Sequence, residues 1–570
     1  MTTDSTQDNI STWSLIRPFW VSEERWRALG LLAVIIAMNM GLVSISVRLN
    51  NWQGEFYDAL DKKNIGAFRS SLIEFGVLAA LYIGIAVYRT FFRQMLEFKW
   101  RLWLTNSYQH RWLGDNAFYR IERDQLADNP DQRISDDLQA LATTTLQLSL
   151  DLLSTVVSLV SFVIILWSLC GALSFSLVGH PVTIPGYMVW VAALYALVGS
   201  VLMHKINHPL ISIQYQKQKV EANFRFSLIR LRENAEQIAL YEGTKTEDKK
   251  LKTIFDHIRD NWQMVMRYTR RLTFITAAYD QLAGIFPLIV ASPRYFAGAI
   301  SIGALFKLSG AFGNVSDSLS WFMYSYPSLT EWRATVNRLR EFQRVMRTPH
   351  WAEAASPATL HGGINRHLTD ITAVATHDLK LALPDGRALS AVGSLSITPG
   401  SRWLVQGPSG VGKSTLMRAL AGLWPFGDGS IEIPLGASTL FVPQKSYLPI
   451  GTLKDALCYP SEVTAFSDEA CQAALADVQL SQYSAQLDHS DHWERRLSPG
   501  EQQRLAFGRV LLQRPDFLLL DEATSALDSA TEHALYETLL ARLPNTAIVS
   551  VAHREALRAF HDQQINLQAA

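Results

Sequence analysis

SRWLVQGPSGVGKSTLMRALAGLW, residues 401–424, decides how the C-terminal part of this chain folds. SRWLVQ has the apolar run of a buried strand, LMRALAGLW has helical character, and the residues between them fit G-x-x-x-x-G-K-[ST]. Glycines at those positions let backbone N–H groups turn inward around phosphate oxygens, helped by the positive end of the following helix. Lys413 brings a point charge suited to β/γ-phosphates, and the Ser414 hydroxyl is a hard oxygen ligand suited to Mg²⁺. The candidate phosphate contacts are therefore Gly407, Pro408, Ser409, Gly410, Val411, Gly412, Lys413, Ser414 and Thr415.

A second stretch, FLLLDE at 517–522, is an apolar strand that ends in two carboxylates. A strand this apolar is covered on both faces, so the acidic pair emerges at its C-terminal edge, where α/β sheets bind ligands. Asp521 suits a water-mediated hold on Mg²⁺, and Glu522 suits polarising an attacking water. A DE pair alone also describes a solvated strand end; the phosphate-binding loop upstream makes it chemistry.

Working outward, the N-terminal half differs in character. From 28 to 47 run twenty residues without a charge, enough to cross a bilayer as a helix. Further apolar runs cover 72–88, 152–179, 182–203, 272–292 and 295–329, so six spans are expected. A single such run also describes a buried helix of a soluble protein, but six within the first 330 residues do not. Lys and Arg crowd the connectors between spans two and three and between spans four and five, while HPVTIPG and the turn at Arg294 are nearly bare. The N-terminus and both long connectors are therefore expected on the cytoplasmic side. The first ten residues are polar and lack a basic n-region, so no cleavable signal peptide is read there.

Composition agrees. The 570 residues hold 52 Lys+Arg against 52 Asp+Glu, a formal net charge of zero that argues against a nucleic-acid binder. Charged residues make only 18% of the chain and hydrophobic ones 48%, which excludes disorder. Cys170, Cys458 and Cys471 are too few for a disulfide framework and read as buried thiols.

LSPGEQQRLAFGRVLLQRPDFLLLDEATSALD, at 497–528, resembles the signature-to-Walker-B stretch of ABC-transporter ATPases. The resemblance implies an ATP site with Mg²⁺. Gln444 in VPQKSYLPIGTL matches the Q-loop, which contacts Mg²⁺ and couples to the membrane domain. Ser498 and Gly500 match the signature loop, which binds the γ-phosphate held by a partner subunit. Ser525, Ala526, Leu527 and Asp528 match the D-loop, and His553, after the apolar strand TAIVSVA, matches the switch histidine. Two departures stand out. Pro499 and Glu501 occupy places that are usually Gly and Gln, and Leu383 sits where the family stacks an aromatic on adenine.

In the membrane half, LNNWQGEFYDALDKKN, DNPDQRISDDL, RENAEQIALYEGTKTED and SPRYFAGAISIGALFKLSGAF resemble one branch of that family. It contains the bacterial SbmA/BacA-like and YddA-like transporters and the peroxisomal very-long-chain fatty-acyl transporters. The compact length resembles the bacterial members. One ATPase domain per chain implies a two-fold homodimer, since each composite ATP site needs a phosphate loop and a signature from different copies.

The expected architecture is an α-helical membrane domain with six spans, of the exporter-type ABC transmembrane fold, at 1–340. A linker follows at 341–365, and an α/β P-loop ABC nucleotide-binding domain at 366–570. The expected function is ATP-driven movement of a hydrophilic or amphipathic solute, cobalamin or peptide-like, across a bacterial cytoplasmic membrane. Lipid or fatty acyl-CoA is the alternative cargo, and an ATP-gated pore or membrane regulator the alternative class. In the sixth span Lys307, Asn314, Asp317 and Trp321 recur at helical spacing, joined by Asp280 and Asp151 elsewhere. They suit either a polar stripe lining a cavity or interhelical packing.

Overall fold

Helix length sets the N-terminal part apart. The computed structural model describes residues 11–177, 180–347, 363–552 and 554–569, and divides into two units, Met1–Arg347 and Thr348–Ala570. The first unit contains α1 (Thr12–Trp20), α2 (Arg25–Asp61), α3 (Ile65–Leu113), α4 (Leu138–Cys170), α5 (Tyr187–Glu233), α6 (Ala235–Leu240), α7 (Thr244–Phe296) and α8 (Ile302–Arg347). At about 1.5 Å per residue, the 49 residues of α3 and the 53 of α7 reach about 75–80 Å, against a hydrocarbon layer of about 30 Å. These helices project far beyond any membrane they cross.

Among the described residues four helices, α2, α3, α4 and α7, carry a stretch long and apolar enough to cross a membrane. A fifth apolar segment, Tyr187–Met203 at the start of α5, is shorter. The sixth expected span, in α8, does not reach that hydropathy. Its location explains the weak signal, because α8 packs against α2, α4, α5 and α7 at once. It buries small or polar residues such as Gly303, Ala311, Ser316 and Ser320 alongside Leu308 and Phe312.

The third apolar run also ends earlier than expected. α4 stops at Cys170, where Gly171 takes φ +62°, and a hairpin follows, β1 (Ala172–Leu177) paired antiparallel with β2 (His180–Pro185). A left-handed φ is open to glycine at little steric cost, so this residue breaks the helix where hydropathy alone does not.

Two polar locks hold α8. Near its start the backbone of α2 passes so closely that a Cβ on Gly303 would collide with the carbonyl of Gly54. There Asp58 accepts from the Gly303 N–H (2.8 Å) and the Ser301 hydroxyl (3.1 Å). Towards its end, Arg338 donates to Asp137 at 2.9 and 2.6 Å, and Arg133 donates to the same carboxylate at 3.0 Å. A hydrophobic cluster that includes Leu15, Phe19, Trp100, Leu104, Leu138, Leu339 and Phe342 surrounds that end and binds α1, α3, α4 and α8 together.

The second unit contains β3 (Asn365–Thr369), β4 (Val374–Ala382), β5 (Ala388–Ile397), β6 (Arg402–Gln406), α9 (Lys413–Leu420), β7 (Gly427–Pro434) and β8 (Thr439–Val442). After these come α10 (Leu453–Cys458), α11 (Asp468–Asp477), α12 (Pro499–Gln513), β9 (Phe517–Asp521), α13 (Ser529–Arg542), β10 (Ala547–Val551) and β11 (Gln563–Asn566). A parallel sheet runs β11-β6-β10-β9-β8, and a second sheet runs β3-β7-β4-β5. Every residue of β9 and β10 is buried, as a parallel strand covered on both faces requires. One core packs α9 between the two sheets, and another packs α10 to α13 against the parallel sheet. All three cysteines are buried and free, with the Cys458 and Cys471 sulfurs 3.7 Å apart.

Behind β10, His561 is held as a neutral ring. Its Nδ1–H faces the Leu557 carbonyl (2.7 Å), so Nε2 accepts from the Ser550 hydroxyl (2.9 Å), which in turn accepts from Tyr536 (3.2 Å). Burial pushes the imidazole pKa below its ordinary 6.5. Below pH 6.5 the unfolded chain therefore takes up a proton that the folded one resists, and stability falls until the folded value is passed. Melting of the full chain between pH 7.5 and 5.5 is expected to show this acid-side loss as a fall in melting temperature, with a shallower slope in His561→Leu.

Candidate active site

The loop from β6 to α9 is shaped by its glycines. Gly407 and Gly412 take φ of +149° and +101°. A Cβ at Gly407 would lie 2.7 Å from the Leu567 carbonyl, and one at Gly412 would lie 2.7 Å from Leu389 Cδ2. Pro408, Ser409 and Gly410 form an exposed rim, Val411 anchors the loop in the core, and Thr415 is half-buried. Lys413 opens α9 and is 7% exposed; its Nζ curls back to the carbonyls of Gly407 (2.8 Å) and Pro408 (3.1 Å). The ammonium thus satisfies loop carbonyls and stands at the rim of an N–H-lined cradle.

The end of β9 meets this loop. Ser414 Oγ donates to Asp521 Oδ1 at 2.9 Å. Burial pushes the Asp521 carboxyl up, and the neighbouring Glu522 charge adds to this, against the hydrogen bond from Ser414. Glu522 sits at φ +50°, a region that costs a non-glycine residue and persists only where the surroundings impose it. Its N–H donates to Val551 (3.1 Å), and its side chain accepts from Gln444 Nε2 at 3.0 Å. The structure therefore brings Lys413, Ser414, Asp521, Glu522 and Gln444 into one neighbourhood.

Among the described residues no cluster of three or more His, Cys, Asp or Glu could hold a metal alone. The oxygen pair of Ser414 and Asp521 fits Mg²⁺, which usually takes one or two protein ligands and completes its shell with water and substrate phosphates.

The other expected contacts lie apart. Ser498 caps α12; its N–H and hydroxyl donate to Glu501 at 2.9 and 2.8 Å, and the Glu501 N–H returns to the hydroxyl at 3.4 Å. Pro499 occupies the first helical position, where a missing N–H costs no helical hydrogen bond. Glu501 completes the box. Burial alone would raise the Glu501 carboxyl, but donors from Ser498 and Tyr483 hold it below the usual range. Both departures of the LSPGE sequence therefore build a well-capped helix, with Gly500 closely approached by the Ala526 carbonyl. Among the described residues no hydrogen bond joins 498–500 to 407–415.

Asp528 caps α13, accepting from the N–H groups of Ala530 (3.0 Å) and Thr531 (2.9 Å). His553 lies outside the described residues. Leu383, in the tight turn between β4 and β5, packs against the core instead of offering a ring face. Sequence reasoning missed Glu532, which is 3% exposed and links Thr524 Oγ1 (2.5 Å) to Arg554 (3.2 Å), the residue after His553. Its only sequence signal is an acidic residue in a first helical turn, which ordinarily means solvent or a helix dipole.

In the membrane unit, Lys307 and Asn314 are half-buried, with Asn314 donating to its own helix at Gly310 (2.9 Å), while Asp317 and Asp280 are exposed in the single chain.

Comparison with known proteins agrees with this geometry. A family model described as ABC transporter transmembrane region 2 matches residues 15–296, and one described as ABC transporter matches residues 392–525. The inner membrane ABC transporter ATP-binding protein YddA of Escherichia coli is 31% identical over 558 residues, covering 97% of each chain. The lysosomal cobalamin transporter ABCD4 of Homo sapiens is 26% identical, covering 96% of this chain and 92% of its own. Among solved structures, a bacterial Atm1-family ABC exporter with ATP bound is similar in fold, with a TM-score of 0.71 at 20% identity over 96% of this chain and 94% of that one.

Replacing Gly412 with Ala puts a methyl group against Leu389 at a φ that alanine avoids. Titration with a fluorescent ATP analogue is expected to show at least tenfold weaker binding, with the melting temperature moved by no more than a few degrees.

Proposed function

The chain belongs to the ABC transporter family, an exporter-type membrane domain fused to an ABC ATPase that couples ATP hydrolysis to transport, and from that premise we propose that it acts as a homodimeric half-transporter in a bacterial inner membrane. Six spans per chain, with the N-terminus and the ATPase domain cytoplasmic, are part of this reading. So are domain limits at 1–340 and 366–570 around a linker at 341–365. The basic connectors support the orientation.

The observation that carries the hydrolytic reading is the hydrogen-bonded array Gln444–Glu522 beside Asp521–Ser414, set against the 407–414 loop. The loop N–H groups and Lys413 hold the β- and γ-phosphates. Glu522 accepts a proton from the attacking water as its oxygen bonds to the γ-phosphorus and the bond to the ADP oxygen breaks. Gln444 donates to Glu522 and keeps the carboxylate aimed. Ser414, Asp521 and Gln444 would hold Mg²⁺, which would neutralise phosphate charge. Ser498 and Gly500 serve the γ-phosphate of the other copy, beside the loop that carries Asp528, and His553 adds a phosphate contact.

The unjoined loops 407–415 and 498–500 support pairing of two copies, and that pairing turns spans into a shared pathway. Asp280 and Asp317, exposed within the expected fifth and sixth spans, are costly against lipid and suit a wet pathway. With Lys307 and Asn314 at helical spacing from Asp317 on α8, and Asp151 half-buried on α4, that pathway suits a hydrophilic or amphipathic solute. Cobalamin is the first candidate, given the relative's name, and a cationic peptide the second.

In Glu522→Gln, nucleotide affinity is expected within about threefold of wild type, with kcat down by at least about 10²-fold. Unimpaired turnover overturns the base assignment. In proteoliposomes, labelled cobalamin or cationic peptide is expected to accumulate with ATP and not with that variant. Movement of a labelled lipid instead reassigns the cargo, and an ATP-dependent leak down a gradient reassigns the class to a gated pore.

A further inference from the structure

One buried side chain of the ATPase unit meets two of the peptide segments that reach Glu522, those of Gln444 and of Ser525. Gln503 lies on α12, within two turns of the Ser498 cap, and is 4% exposed. Its Nε2 donates to the main-chain carbonyl of Gln444 (3.3 Å) and to Ser525 Oγ (3.1 Å), and its Oε1 accepts from the Ala526 N–H (2.9 Å). The orientation of the amide is fixed by its partners, because a flip would set carbonyl against carbonyl and N–H against N–H. Both donors and the acceptor are in use, so neither a carboxylate nor an apolar side chain of the same length reproduces the set.

The two segments that it joins converge on one residue, Gln444 at the Glu522 carboxylate and the 525–526 turn at the Glu522 main chain. Gln444 is tied to Gln503 through its carbonyl and to Glu522 through its side chain (3.0 Å). Ser525 turns back on Glu522 by a 3.1 Å backbone bond, and Ala526 follows. Glu522 itself holds a φ of +50°, which a chain keeps only when its neighbours over-determine it. Gln503 is the buried group that sets the Gln444 backbone and the 525–526 turn at a fixed separation.

We propose that Gln503 is a positioning residue for ATP hydrolysis: its carboxamide clamps the Gln444 strand end to the 525–526 turn, and so places Glu522 and the Gln444 side chain for attack on the γ-phosphate. The proposal rests on Glu522 as the base. It also makes α12, the helix that carries the signature, a direct mechanical input to the base, since a shift of α12 along its axis moves both arms together.

Gln503→Glu keeps length and the acceptor but loses both donors, and Gln503→Met keeps length and loses everything polar. In full-length protein in nanodiscs, both are expected to lower kcat by about 10- to 100-fold, the scale of an ångström-sized misplacement. The affinity for a fluorescent ATP analogue and the KM for ATP should stay within about threefold. Rates are counted per nucleotide-occupied site, so loss of folded protein does not imitate the effect, and either variant stands in should the other not fold, Gln503→Glu burying a charge against the Gln444 carbonyl and Gln503→Met leaving the Ala526 N–H unpaired. A normal kcat per occupied site in either folded variant overturns the proposal, as does a loss confined to KM. Glu522→Gln measured in parallel separates the two claims. Retained turnover there removes the base, and with it any positioning through it, whereas an inactive Glu522→Gln beside active Gln503 variants refutes the clamp alone.

Discussion

The buried carboxylate at the end of β9 is the constraint around which the ATPase unit is arranged. Asp521 must lie at the edge of a fully buried parallel strand to reach the phosphate loop, and there its charge is disfavoured. The Ser414 hydroxyl is the partner that the fold itself supplies. A divalent cation at Ser414 and Asp521 would add the positive charge that this carboxylate otherwise lacks. Glu522 adds a second cost, a left-handed backbone at a non-glycine residue. Hydrogen bonds from Gln444 and to Val551, and the turn through Ser525, hold it in place. Charge and strain are thus concentrated at the proposed hydrolytic site, and the surrounding helices are capped and packed.

The membrane unit answers a different constraint. A helix of about 75 Å cannot be stabilised by lipid along its whole length, so its projecting part needs a core of its own. The cluster of Phe19, Trp100, Leu138, Leu339 and Phe342 supplies one, and the Asp137 carboxylate between Arg133 and Arg338 fixes its register. At the opposite end of α8, Asp58 caps the helix where the glycine backbones of α2 and α8 touch. One helix is therefore pinned by polar contacts at both ends while its middle packs against four neighbours, a construction suited to moving as a rigid element.

How much of this was legible in the sequence depended on whether local chemistry or tertiary packing decided each feature. The phosphate loop, the acidic strand end and the four most apolar helices were readable, because glycine spacing and hydropathy act locally. The sixth span was harder, since α8 is buried by protein and carries serine and glycine where a lipid-facing helix carries leucine. The break at Gly171 was hidden inside an uncharged run. Pro499 and Glu501 read as departures from a pattern, but at the first and third helical positions they are good capping chemistry. Glu532 and Gln503 were invisible for one reason: a polar residue on a helix reads as solvated, and only the fold reveals which partners enclose it.

The central claim is that the ATP site is completed between two copies of this chain. The most direct measurement is a cryo-electron microscopy structure of the Glu522→Gln chain in lipid nanodiscs with ATP and Mg²⁺. Two copies are expected, each nucleotide held by Lys413 and Ser414 of one and by Ser498 and Gly500 of the other. A nucleotide enclosed by loops of a single chain, or a monomer that binds ATP and Mg²⁺ with Ser498 far from any phosphate, would contradict it.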